Sequence, residues 1–251
     1  MLYALGLGDK VVGVTRFCKY PPEAQSKPKI GDYNNPNLEA IAALKPDLVV
    51  LQVNPVRLAE RLQALHLKTL ELDQHNLAAM YESFRLTGAA TGTSARAAQL
   101  VDSLQGALLN LRKSAAQFPR KRTMFVVART TGQLDGIMVA GGSSFVDELI
   151  STAGGNNVFH DSTAAYPQVS LEGIIARNPE AIIDLGEMSG DTVSEPYKRE
   201  IIALWSRAPS IAAVKQHQVF VAGSDVYLVP GPRVVDAAQA IFTMLHPGIK
   251  P

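Results

Sequence analysis

Two stretches of this chain read as one unit used twice. Asn37-Leu-Glu-Ala-Ile-Ala-Ala-Leu-Lys-Pro-Asp-Leu-Val-Val50 and Ser170-Leu-Glu-Gly-Ile-Ile-Ala-Arg-Asn-Pro-Glu-Ala-Ile-Ile183 match in residue class at an offset of 133 positions (170 − 37). Each opens with a side chain suited to capping a helix and places a glutamate in the first turn. A short amphipathic helix then meets a proline and gives way to an apolar, β-rich run. Tyr33 and Tyr166 extend the match, each four residues before its cap. An internal duplication of this kind implies two similar lobes that present paired tyrosines and paired glutamates. Such a chain is suited to closing on something between its halves, or to docking on a partner that is itself two-fold.

The rest of the pattern agrees with two α/β lobes. In the first, strand-like segments at 11–15, 48–51 and 69–72 alternate with helical patterns at 38–44, 55–65 and 77–90. In the second, strands are expected at 123–127, 137–139, 181–184 and 219–221, with helices near 145–153, 171–177, 198–206 and 234–245. Alternation of this sort argues for mainly parallel sheets covered by helices. Between the lobes, Ala97, Leu100, Val101, Leu104, Leu108 and Leu111 keep one stripe of a helix apolar across 94–117. At 1.5 Å per residue that helix would run about 36 Å and act as a rigid strut. The expected division is therefore a first lobe at 1–92, a joining helix at 93–118 and a second lobe at 119–251, with a ligand cleft between the lobes.

Composition narrows the function classes. A chain of 251 residues can bury its cores without staples, and a net charge of +1 without a Lys/Arg cluster offers no footprint for nucleic acid. The basic run Arg120-Lys-Arg122 is most simply a solvated turn. The single Cys18 excludes a disulfide framework and a multi-cysteine metal site, and suits an oxidising compartment. No apolar run reaches the roughly 20 residues that span a bilayer, and the chain opens without the basic start of a signal peptide. Leu2 to Leu7 reads as the end of a helix leading into Gly8-Asp9, so the expectation is that a signal segment, and a first strand, precede this point.

Catalytic motifs are scarce. Gly6-Leu-Gly8 lacks the third glycine of a dinucleotide fingerprint, and there is no Walker pattern, nucleophile elbow or His-Glu-x-x-His pair. The five histidines (66, 75, 160, 217 and 246) lack ligand spacing, so no metal site is expected. His75 and His160 follow strand-like segments, at the ends where open α/β sheets place ligands, and are candidate axial or polar ligands; exposed loop histidines are the plainer reading. Tyr33 and Tyr166 suit facing platforms for a large flat ligand, or simply cover their own lobes. Glu39 and Glu172 favour the positive end of a helix dipole, which leaves capping and partner docking both open. Gly141-Gly-Ser-Ser144 is the only approach to a phosphate loop and looks more like a helix cap. A nucleotide-using α/β enzyme is the rival class.

Several segments carry a resemblance: Val12-Gly-Val-Thr15, Tyr20-Pro-Pro-Glu-Ala-Gln25, Asn37-Leu-Glu39, Leu44-Lys-Pro-Asp-Leu-Val-Val50, Gly154-Gly-Asn-Asn-Val-Phe159, Tyr166-Pro-Gln-Val-Ser170 and Pro232-Arg233. In order and over essentially the whole chain, they resemble the substrate-binding proteins of ABC importers for corrinoids, haem and ferric siderophores, in particular the cobalamin-binding members. The resemblance implies a non-enzymatic, monomeric protein without a resident cofactor. It would be periplasmic or lipid-anchored, touching the membrane only through its anchor or transporter, and would deliver a corrinoid such as cobalamin to a permease dimer. It places Phe17, Tyr33, Met138 and Tyr166 at aromatic pocket walls and Asp225 at a polar pocket position. Gln52 and Tyr227 complete the expected ligand contacts. Glu39 and Glu172 match glutamates that dock on permease arginines. Gln52 and Met138 stand where the cobalamin binders have aromatics, and Leu228 and Val229 replace a charged pair, so a related corrinoid or haem stays open. Three arginines around an anionic pocket would favour a siderophore, with Arg16, Arg129 and Arg233 the candidates.

Overall fold

The computed structural model describes residues 1–53, 57–186 and 194–249. The chain divides into two compact units, one comprising 1–74 and 78–103, the other 75–77 and 104–251.

In the first unit, α1 (Leu38–Ala43) leads to β1 (Val49–Gln52), then α2 (Leu58–Gln63) and β2 (Thr69–Leu72), followed by α3 (Leu77–Thr91) and α4 (Ser94–Ala115). β1 and β2 pair in parallel, Val49 opposite Thr69 and Gln52 opposite Leu72. Ile41, Leu58 and Leu62 form the buried core against them, with Ile30, Leu38 and Leu67 packed around it. Pro55 and Val56, expected at the start of the second helix, lie outside the described residues. The expected joining helix is a single element of 22 residues, about 33 Å long. Its first ten residues belong to the first unit, and Leu104 onward to the second.

Two expectations near the amino terminus change. Residues 11–15 are not a strand: only an isolated bridge joins Val14 to Lys29. Val14 N–H donates to Pro28 O and Ile30 N–H to Val14 O, and the ladder extends no further. Residues 2–7 form turns, yet carry the bonds of a helix end: Gly6 N–H reaches Tyr3 O and Leu7 N–H reaches Leu2 O, with Gly6 at φ 79°. A 3-10 turn follows at Gly8–Lys10.

The second unit contains β3 (Lys121–Ala128), β4 (Ile137–Val139), α5 (Phe145–Thr152), β5 (Gly155–Asn157), β6 (Gln168–Val169), α6 (Leu171–Arg177), β7 (Ala181–Asp184), α7 (Glu195–Trp205), α8 (Ala212–Lys215), β8 (Val219–Val221) and α9 (Val234–Leu245). They build a six-stranded sheet in the order β6-β4-β3-β7-β8, with β5 also pairing β3. β3, β7 and β8 are parallel; β4 and β6 add antiparallel pairs. Trp205, Met124, Ile174 and Ile182 are fully buried in one continuous core around this sheet.

The duplication is realised element by element. α1-β1-α2-β2 corresponds to α6-β7-α7-α8-β8, with each pair of strands parallel. Asn37 accepts the Ala40 N–H at the start of α1, and Ser170 the Gly173 N–H at the start of α6. Ile41 and Ile174 both point into a core. Lys45 and Asn178 both take left-handed backbone just before the proline, at φ 48° and 44°. That conformation ends each helix and turns the chain into the strand. Before β2 and β8 the repeat is echoed by histidine: His66 and His217 are left-handed, and the next N–H reaches back five residues, Leu67 to Leu62 O and Gln218 to Ala213 O. Two of the five histidines are thereby helix terminators.

Candidate functional site

In the first unit the candidate contacts gather past the carboxyl ends of the parallel strands, the edge where open α/β sheets present ligands. Gln52 ends β1 and donates from Nε2 to Gln74 Oε1 at 2.6 Å, two residues beyond β2. Tyr33 donates its hydroxyl to Val53 O at 2.9 Å, and its ring is 41% exposed. Next to it, Asp32 is buried and accepts the N–H groups of Asn34 and Asn35 while pairing with Arg16 at 2.5 Å. The Asn35 N–H, helped by Asn34 and the Arg16 guanidinium, holds the Asp32 carboxyl below the ordinary range against the opposing effect of its own desolvation. Arg16 in turn lies 4.9 Å from the centre of the Phe17 ring, which is 62% exposed. Asp32 therefore ties Phe17 and Tyr33 into one neighbourhood through Arg16.

In the second unit Met138 faces outward between the buried Ile137 and Val139. It stands opposite Gln168. The pairing continues as Val139 N–H to Pro167 O and Gly141 N–H to Ala165 O, which keeps Tyr166 alongside β4 and its extension. Tyr166 is 36% exposed, and burial of its hydroxyl end raises its pKa. Asp225 opens the 3-10 turn Asp225–Tyr227, capped by Ser224, and accepts from Arg233 at 3.0 Å. Tyr227 corrects an expectation: it is 4% exposed, its ring 5.6 Å from that of Phe125, and burial pushes its pKa up to about 12. The turn packs on α9, which makes Tyr227 a core ring of its unit and not a surface for ligand.

The charged groups at this edge are already matched. Arg129 follows β3 and donates from Nε to Asp184 Oδ2 at 3.0 Å, an oxygen that also accepts Trp205 Nε1–H at 2.8 Å. Gly186 N–H holds the other oxygen. A cavity of about 160 Å³ beside Arg129 is lined also by Tyr197, Glu200 and Arg207, and none of the expected ligand contacts lines it. All three arginines considered for an anionic pocket, Arg16, Arg129 and Arg233, thus pair with a carboxylate of their own unit.

Glu39 and Glu172 are exposed at the second position of α1 and α6. The Glu172 carboxyl is held below the ordinary range by its own backbone N–H and by the Ser170 hydroxyl, so part of its role is to finish the cap. Gly141–Ser144 is a helix cap as expected: Ser144 donates to Gly141 O and accepts the Asp147 N–H. His75 lies on the surface with Nε2 2.8 Å from Asn76 Nδ2. His160 Nδ1 lies 2.9 Å from the buried Asp147. His246 is buried between Phe118 and Phe242. Among the described residues no three ligating side chains gather to hold a metal, and no helix is long and apolar enough to cross a membrane. The carboxylates Asp32, Asp147 and Asp184 escaped the sequence reading because each finds its cation or imidazole in a segment with no periodic signal.

Comparison with known proteins is consistent with this layout. An uncharacterised ABC transporter substrate-binding lipoprotein of Bacillus subtilis, YvrC, is 30% identical over 98% of this chain and 76% of its own length. The vitamin B12-binding protein of Salmonella choleraesuis is 29% identical over 96% of this chain and 85% of its own. The crystal structure of the periplasmic vitamin B12-binding protein BtuF of Vibrio cholerae superimposes with a TM-score of 0.80 at 26% identity, covering 97% of this chain and 91% of that one. Residues 1–226 match the periplasmic binding protein family. By that match the chain belongs to the periplasmic binding protein family, as a substrate-binding protein of ABC importers with a binding role in transport.

Proposed function

We propose that this protein captures a corrinoid, cobalamin first among them, outside the cytoplasm and hands it as a monomer to a dimeric ABC permease. The observation that carries the reading is the similarity along almost the whole chain to proteins named for vitamin B12 binding. Phe17, Tyr33, Gln52, Met138, Tyr166 and Asp225 are the proposed contacts. The exposed rings among them suit a flat macrocycle, with polar groups at the margin as in most ligand sites. The matched arginines favour a corrinoid over a ferric siderophore, because an anionic ligand would have to compete with Asp32, Asp184 and Asp225 for the same guanidinium groups. His75 and His160 are the candidate axial or polar ligands.

Glu39 and Glu172 are proposed to dock on two arginines of the permease, which fits their equivalent places on the repeat. Carboxylate–arginine pairs give such a contact geometric specificity, while exposed pairs contribute little energy singly. The reading is tested by incubating the protein separately with cobalamin, cobinamide and haem, desalting, and recording visible spectra. Retention of a corrinoid is expected; retention of haem alone would replace the reading with the haem alternative. Replacing both glutamates with alanine is expected to leave ligand affinity unchanged and to reduce stimulation of transporter ATPase. Normal stimulation would leave helix capping as their whole role.

A further inference from the structure

Gln52 and Gln74 bring two uncharged amides together where β1 and β2 end. Gln52 closes β1 opposite Leu72, and the ladder runs one step further as Val53 N–H to Leu72 O. Gln74, two residues past the end of β2, is then within reach, and Gln52 Nε2 donates to Gln74 Oε1 at 2.6 Å. Gln52 is exposed and Gln74 half-buried. Neither side-chain amide bonds elsewhere among the described residues.

A primary amide carries one acceptor oxygen and two N–H donors. A single hydrogen bond between two of them uses one donor of the first and one lone pair of the second. Gln52 Oε1 and Gln74 Nε2 therefore stay open, and the return bond that would close the pair on itself is not made. Turning both amides over exchanges the two roles and leaves the same pattern, a carbonyl on one residue beside an NH2 on the other. Glutamine does not titrate, so the pattern is the same at every pH.

The setting limits what such a pattern can take. Tyr33 anchors its hydroxyl on Val53 O, next to Gln52, so the exposed ring and the amide pair share one strand end. Arg16, the guanidinium of this neighbourhood, is already paired with Asp32. With that charge taken, the edge favours an uncharged group that both donates and accepts. A primary amide does both, whereas a carboxylate or an ester has no N–H to give and leaves the glutamine carbonyl unpaired once water is displaced. A corrinoid carries primary amides around its ring; the rim of haem carries carboxylates. Resting on the corrinoid reading, we propose that Gln52 and Gln74 act together as a carboxamide reader for the rim of the macrocycle. A rim amide donates to Gln52 Oε1 and accepts from Gln74 Nε2, which makes Gln74 a specificity-determining residue.

The test compares two uncharged corrinoids. Dicyanocobinamide carries primary amides on its rim, and dicyanocobyrinic acid heptamethyl ester carries esters, which accept but cannot donate. The ratio of their dissociation constants is measured by titration in the wild type, Gln52→Met, Gln74→Met and the double variant. The wild type is expected to prefer the amide form. Each single substitution lowers that preference about fivefold, the scale of one neutral hydrogen bond. The double variant falls little further, because either loss disables the pair. Melting temperatures are expected to stay unchanged, since the bond between the amides is exposed, so a lost preference reports recognition and not folding. No preference in the wild type, a preference that survives in both single variants, or losses that add in the double variant overturns the proposal. Failure of the wild type to bind dicyanocobinamide overturns the corrinoid reading itself, and this inference with it.

Discussion

β1 and β7 occupy the same place in the repeat but differ in burial. Among the described residues β1 pairs with β2 alone, and Val49, Val50 and Leu51 stay partly open. β7 lies between β3 and β8 and buries all of Ala181, Ile182, Ile183 and Asp184. The same local pattern therefore builds the same helix-to-strand turn in both copies, while the number of neighbours decides how much of the strand leaves water. A strand buried on both sides can hold a charged residue only if that charge is paired. Asp184, with Arg129, Trp205 and Gly186 around it, is that case, and its counterpart in the first copy is Leu51.

That contrast gives the largest expected effect. Asp184→Ala leaves the Arg129 guanidinium without its buried partner and should cost about 3–5 kcal/mol of stability. Leu51→Ala, at the open strand, should cost about 2 kcal/mol, the low end for losing an aliphatic side chain. Denaturant unfolding of both variants measures the pair. Equal losses would mean that the environment of β7 adds nothing to what the repeat supplies.

Ligand binding probes the two tyrosines next. Tyr33→Ala and Tyr166→Ala are each expected to weaken corrinoid binding by about 1–3 kcal/mol, the range for losing a large aromatic contact. Titration calorimetry decides it, and unchanged affinity in both variants would remove the tyrosines from the site. A smaller effect should be similar in each copy: Asn37→Ala and Ser170→Ala each lose the bond to the third helical N–H, about 1 kcal/mol, and Ser170→Ala also loses the exposed contact to Glu172. A clear inequality between them would show that the caps are not equivalent despite their shared geometry.

The smallest expected difference depends on pH and belongs to the second unit. Burial lowers the pKa of His246 below its ordinary value of 6.5, so the folded state binds this proton less readily than the unfolded state. Stability from the neutral ring is complete above that value and drains as the pH falls below it. Unfolding followed from pH 7 down to pH 5 should show a shallower acid slope in His246→Leu. An identical slope would assign the acid sensitivity to other groups.

Much of the fold was legible in the sequence because its signals are short. Leu171–Arg177, Val234–Leu245 and Ile137–Val139 are elements where the sequence pattern places them. β5 was not legible: Gly155-Asn-Asn157 has poor intrinsic strand character and is a strand because it lies beside β3. The segment at 11–15 looked like a strand and forms only a single bridge, from Val14 to Lys29. In the candidate site the residue types were readable, but not their partners. Asp32 reaches back to Arg16, Asp184 to Arg129, and Tyr227 turns its ring inward onto Phe125.

The sequence by itself determined the duplication, the capped helices and the family, since each of these is written in neighbouring residues or in their order. Only the tertiary structure decided which arginines are already paired, that Tyr227 is core, and that His160 lies against the buried Asp147. Those outcomes join side chains far apart in the chain, where backbone closure sets the pairing and burial makes an unpaired charge costly.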